Sequence, residues 1–164
     1  MKKCIALAVI AVLFLCSCSQ GAKKDTFDVL CELIAYSGEN EDGIILYSST
    51  ARLGELGYID DSVKRTLYGE KYVEECFPLV EEYSISVSGR QAGEVAVFKC
   101  HSRSDTDAVA QMCLERADTI KVALRGSDLE EKSRAIRIEI HGRYVLFSFS
   151  DRSEDMAEYF SKLV

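Results

Sequence analysis

RAIRIEIHGRYVLFSFS (residues 134–150) alternates apolar and polar side chains on both sides of a His-Gly pair. A period of two is the signature of a strand with one face in the core. His141-Gly142 suits a two-residue turn between two such strands. That turn sets Ile138 opposite Val145 and Ile136 opposite Phe147, all four on one face, with Arg137, Glu139 and Tyr144 on the other. A hairpin this tight makes an antiparallel pair, so the sheet it belongs to is expected to be antiparallel.

Upstream, YSISVS (83–88) alternates Tyr83, Ile85 and Val87 with serines, as a half-buried strand does. SGRQAG (88–93) turns the chain, and EVAVFKC (94–100) is apolar on both sides, like a central strand. Ser104 with Asp107 three residues later resembles a capping box, and a helix is expected from there to about Leu124, with Gly126 beyond it. Downstream, Asp151 with Glu154 is the expected cap of a last helix carrying Met156, Phe160 and Leu163.

The order is strand-strand-helix-strand-strand-helix: an α+β fold, with an antiparallel sheet of about four strands and the helices packed on one face. A helical N-terminal segment precedes it. Thr26 to about Tyr36 puts Phe27, Leu30, Cys31 and Ile34 on one side and stops at Gly38; Ile44–Ser49 is extended; Asp60 or Asp61 caps a short helix ended by Gly69. Pro78 forbids a helix across residues 70–82.

The first 24 residues have another character. Lys2 and Lys3 precede a 12-residue apolar run, Cys4 to Leu15. As a helix it covers roughly 18 Å, short of the ~30 Å hydrocarbon core, so it is read as an export signal and not as a span. Leu15-Cys16-Ser17-Cys18 resembles the bacterial lipobox, Leu-x-(Ser/Ala/Gly)-Cys, in which the last Cys is lipidated and becomes the first residue of the mature chain. Cys18 fits that position. Cys16 does not, because Leu15 occupies the place of the small residue. The expected organisation is a signal peptide over 1–17, a lipidated tether over 18–24 and one α+β domain over 25–164, held to the membrane through the lipid on Cys18.

With 27 acidic and 20 basic residues the chain carries −7; loss of Lys2 and Lys3 with the signal makes it −9. That balance argues against nucleic acid and against polybasic attachment to anionic lipid. Beyond Cys18 lie Cys31, Cys76, Cys100 and Cys113, which an exported chain could pair; irregularly spaced and without a C-x-x-C, they read rather as small buried hydrophobes. SGENEDG (37–43) lacks the alternating Asp pattern of a calcium loop, and no cofactor or metal motif is evident.

The lipobox together with LYG (67–69), GEVAVFKC (93–100), RSDTDAVAQMCLERAD (103–118) and GRYVLFSFS (142–150) resembles a group of small lipoproteins of Gram-positive bacteria that share a domain of unknown function. The resemblance implies an envelope location and a single domain. It carries no activity and no catalytic residues.

Two functions stay open. The leading one is a tethered binding module for an envelope protein or glycan, with Tyr47, Tyr58, Tyr68 and Tyr72 either lining a recognition surface or packing on the sheet. The alternative is a small envelope hydrolase. Cys100 and His101 invite a thiol-nucleophile reading, but neighbours in a strand point to opposite faces. One further residue stands out. At 100° per residue Arg116 falls inside the apolar stripe of Val109, Cys113 and Ile120. It either snorkels to the edge or meets a partner, and period two puts Glu94 on the strand face toward the helix as that partner. Such a pair is expected to hold helix to sheet as a structural ion pair.

Overall fold

The computed structural model of the chain describes residues 24–38, 43–89 and 93–164. The expected signal, Cys18 and nearly all of the tether therefore lie outside the described residues, as do Glu39 to Asp42 of the acidic turn.

The elements are α1 (Thr26–Ser37), β1 (Ile44–Ser48), α2 (Asp61–Tyr68), α3 (Glu70–Glu75), a 3-10 turn (Phe77–Leu79), β2 (Val80–Ser88), β3 (Gly93–Cys100), a second 3-10 turn (Arg103–Asp105), α4 (Thr106–Leu124), α5 (Glu130–Arg134), β4 (Arg137–His141), β5 (Tyr144–Phe149) and α6 (Ser153–Leu163). The fold is α+β, built on one antiparallel sheet of five strands in the order β1-β2-β3-β5-β4. The fifth strand is β1, which pairs along β2 from Ile44↔Ser88 to Ser48↔Ser84.

Helices cover both faces of the sheet, not one. Ala96, Phe98, Val145 and Phe147 join Val109, Met112, Cys113 and Ile120 of α4 in one core cluster. Val95, Val97, Tyr144 and Leu146 join Val29, Leu30 and Leu33 of α1 and Met156 and Phe160 of α6 in a second. EVAVFKC requires this, because a strand apolar on both sides needs apolar cover on both sides. The serines of β2 share in it: Ser84 and Ser86 are buried, so β2 is not the half-buried strand its alternation suggests. The Thr26 hydroxyl and that of Ser84 lie 3.0 Å apart, and the Thr26 N–H and hydroxyl both donate to Glu82 Oε1 (2.8 and 2.9 Å). Those bonds set the rotation of α1. Thr26, Val29, Leu30, Leu33, Ile34 and Ser37 are its buried side, while Phe27, expected inside, is exposed.

In the hairpin the expected faces hold and the expected partners do not. Ile138 pairs with Phe147 and Ile140 with Val145, so the turn is Gly142-Arg143. A primed hairpin turn needs a positive φ at its first central residue, and Gly142 adopts 59° there at no steric cost. Arg143 is then held in place, its carbonyl accepting from Cys100 N at 2.8 Å and its guanidinium donating to the carbonyls of Cys100 and His101. Partners shift by two, so each side chain keeps its face.

The capping box sits two residues earlier than expected: Ser102 and Asp105 form it, and Ser104 bonds only the Ser102 hydroxyl. The last helix is not capped by Asp151 either. Asp151 faces Lys132, Glu154 pairs with Arg137, and the Ser153 hydroxyl donates to the carbonyls of Ser148 and Ser150. Pro78 stands in the first 3-10 turn at a position where its missing N–H has no partner to lose.

Candidate functional site

Glu94 is the second residue of β3 and points toward α4, because it shares its face with Ala96 and Phe98. Arg116 is ten residues into α4, on the side that meets the sheet. The structure brings the two together. Arg116 Nε and Nη2 both donate to Glu94 Oε2, at 3.0 and 2.7 Å. The other carboxylate oxygen accepts from Tyr68 Oη at 3.0 Å. Tyr68 ends α2, where Gly69 turns the chain, and its ring meets Phe98 edge-on at 5.8 Å between centroids. Three elements thus converge on one carboxylate whose side chain is 2% exposed, against 16% for Arg116. Burial, and then the charge on Glu94, push the Tyr68 phenol well above its ordinary value, which keeps it a donor. No periodicity links residues 68 and 94, so the sequence alone does not mark Tyr68 as a partner of this pair.

Arg116 separates two surface concavities. One, of about 260 Å³, is lined by Val87, Glu94, Ile120, Leu124 and Phe149; the other, of about 300 Å³, by Leu67, Tyr68, Gly69, Tyr72 and Thr119. Both are near the lower size limit for a small-molecule pocket and suit a single inserted side chain. The ion pair between them is closed on itself, with both carboxylate oxygens accepting. Breaking a pair this buried is costly even where its net worth is small. Its evident role is to fasten α2 and α4 to β3.

The thiol-nucleophile candidates are not brought together. Cys100 is buried in the α4-side core and burial pushes its thiol up to about 11, whereas His101 is exposed. A catalytic thiol needs the opposite shift. Among the described residues no group of three or more His, Cys, Asp or Glu side chains could hold a metal ion. Of the four tyrosines, Tyr47, Tyr68 and Tyr72 pack on the α4-side core, Tyr68 and Tyr72 also lining the second concavity, and Tyr58 alone of them is exposed. The exposed apolar side chains lie elsewhere, most prominently Leu53 and Leu56 in the loop after β1. Their signal in the sequence is two leucines in a glycine-punctuated stretch with no helical or strand period.

No family model matches the chain, and no curated protein and no solved structure gives a significant match.

Proposed function

We propose that the chain is a lipid-anchored protein of the cell envelope, cleaved before Cys18, held on the outer side of the membrane by acyl chains on that residue, and presenting its α+β domain as a binding module for an envelope protein or glycan. Leu15-Cys16-Ser17-Cys18, at the end of a short apolar run behind two lysines, carries this reading. Each buried CH₂ of an attached lipid contributes about 0.8 kcal/mol, so two chains anchor stably where one does not. Among the described residues no helix is long and apolar enough to cross a membrane. The resemblance to small lipoproteins of Gram-positive bacteria supports the same reading, and the two concavities beside Arg116 supply places for side chains of a partner.

Metabolic labelling with a tagged fatty acid tests the anchor. The wild-type chain and Cys16→Ala should take up label, and Cys18→Ala should not; label on Cys18→Ala would refute the assignment. Cross-linking on intact cells, followed by mass spectrometry, tests the binding role. Recovery of no protein or glycan above an unrelated lipid-anchored control domain would remove it.

A further inference from the structure

We infer that the loop between β1 and α2 docks the domain onto the bilayer, with Leu53 and Leu56 entering its interfacial layer; this rests on the anchor at Cys18. Leu53 is 83% exposed and Leu56 fully so, the two largest exposures among the bulky apolar residues of the described chain. The loop is held by hydrogen bonds. Ser48 N donates to Gly57 O at 2.9 Å, Glu55 N to Arg52 O at 2.9 Å and Tyr58 N to Glu55 O at 3.2 Å, while Arg52 N donates to the Glu55 carboxylate at 2.9 Å. Gly54 and Gly57 hold positive φ, and a Cβ on Gly57 would stand 3.1 Å from Leu46 O. A hydrogen-bonded turn therefore holds both leucines in water, where large apolar side chains are least favourable, and removing them from water is the gain that docking provides.

The loop also stands where the tether enters. Ser49 N donates to Tyr83 O at 2.9 Å and Tyr83 N to Ser49 Oγ at 3.0 Å, which roots the loop near the start of β2. The neighbouring Glu82 accepts from Thr26, and Tyr144 Oη donates to Lys24 O at 3.0 Å, so the chain enters at the same end of the sheet. From Cys18 to Lys24 the chain spans at most about 20 Å. That is less than the roughly 30 Å length of a nine-residue strand such as β2. The tether thus keeps the leucine end toward the bilayer and the concavities beside Arg116, at the far end of β3, away from it. Tyr58, exposed beside the leucines, is of a residue type enriched at membrane interfaces. The acidic charge of the mature chain means that docking draws on apolar contact and not on anionic lipid.

The chain contains no Trp, so one substitution gives a unique reporter. Full-length lipidated Leu56→Trp, and as control Val122→Trp near the opposite end (wild-type Val122 is 65% exposed), are reconstituted in phosphatidylcholine vesicles with and without acyl-chain bromination. The Leu56→Trp emission should shift to the blue and fall roughly twofold with brominated lipid, as for a side chain ~5–10 Å into the headgroup boundary, with Val122→Trp unchanged. Leu53→Trp should repeat the result. Protein that floats with the vesicles while both loop reporters stay unquenched would overturn docking and leave the anchor standing. Protein that does not float would remove both. A blue shift that disappears when protein is diluted in lipid would assign the loop to a second copy of the chain and overturn the bilayer as its partner.

Discussion

Under α4, strands β2 and β3 present Tyr83, Ile85, Ala96, Phe98 and Cys100; under α1 and α6 the same strands present Ser84, Ser86, Val95 and Val97. One face fills its volume with rings, among them the edge-on contacts of Phe77 with Tyr83 and with Phe98, and is fastened by the buried Glu94–Arg116 ion pair. The other packs Val95, Val97 and Leu146 against α1 and α6 and also buries small hydroxyls that find partners in those helices: Ser84 with Thr26, and Ser148 with Ser153 and Met156. No buried side-chain nitrogen or oxygen among the described residues lacks a hydrogen-bond partner. Both faces bury apolar volume, but the first adds a buried ion pair and the second adds paired hydroxyls along β2 and β5, so the polar parts of the two should fail differently when altered.

The largest effect is expected at the ion pair. Arg116→Met leaves the Glu94 carboxylate buried with Tyr68 alone and should cost about 3–5 kcal/mol, read by chemical denaturation. Glu94→Gln combined with Arg116→Met should recover a large part of that loss, because the stranded charge is gone. Strictly additive effects would deny the coupling. A second test of the α4 face is Phe147→Ala, expected to lose about 3–5 kcal/mol through lost transfer energy and the remaining cavity. A loss below about 1 kcal/mol would mean the face is not packed as described.

The hydroxyl face should respond less and through a different mechanism. Thr26→Val leaves the fully buried Ser84 hydroxyl without its partner on α1 and should cost about 1–3 kcal/mol. Adding Ser84→Ala should restore part of it. If the double variant is less stable than either single one, the face is held by volume after all. Smallest is an effect expected to be absent: Cys76, Cys100 and Cys113 should resist alkylation at pH 8 until the protein unfolds, since burial raises all three thiols. Modification of Cys100 in the folded chain would place the α4-side core open to solvent.

The α4 face was readable in the sequence because its determinants are periodic. Strand alternation placed Ile136, Ile138, Val145 and Phe147 on that face, and a helical wheel with strand parity pointed Arg116 and Glu94 at each other. The serine face was not readable. Ser84 and Ser86 look solvent-facing by polarity but are buried, and the tertiary partner Thr26 that makes burial of the Ser84 hydroxyl affordable leaves no mark in the local pattern. The same hidden partner rotated α1 away from its expected side and exposed Phe27. In the hairpin, polarity fixes the faces but not the pairing; the need for glycine at the positive-φ position does that, and it moved the partners by two. Tyr68 joins Glu94 through the placement of α2, which no local pattern encodes. Cys18 rests on the sequence motif alone.

The anchor is tested most directly by mass spectrometry of the N-terminal peptide of the protein purified from membranes of the cell that makes it. The proposed function predicts a mature chain that begins at Cys18 and carries a diacylglyceryl thioether on that sulfur. A peptide that begins elsewhere, or that contains Cys18 as a free thiol, would contradict it.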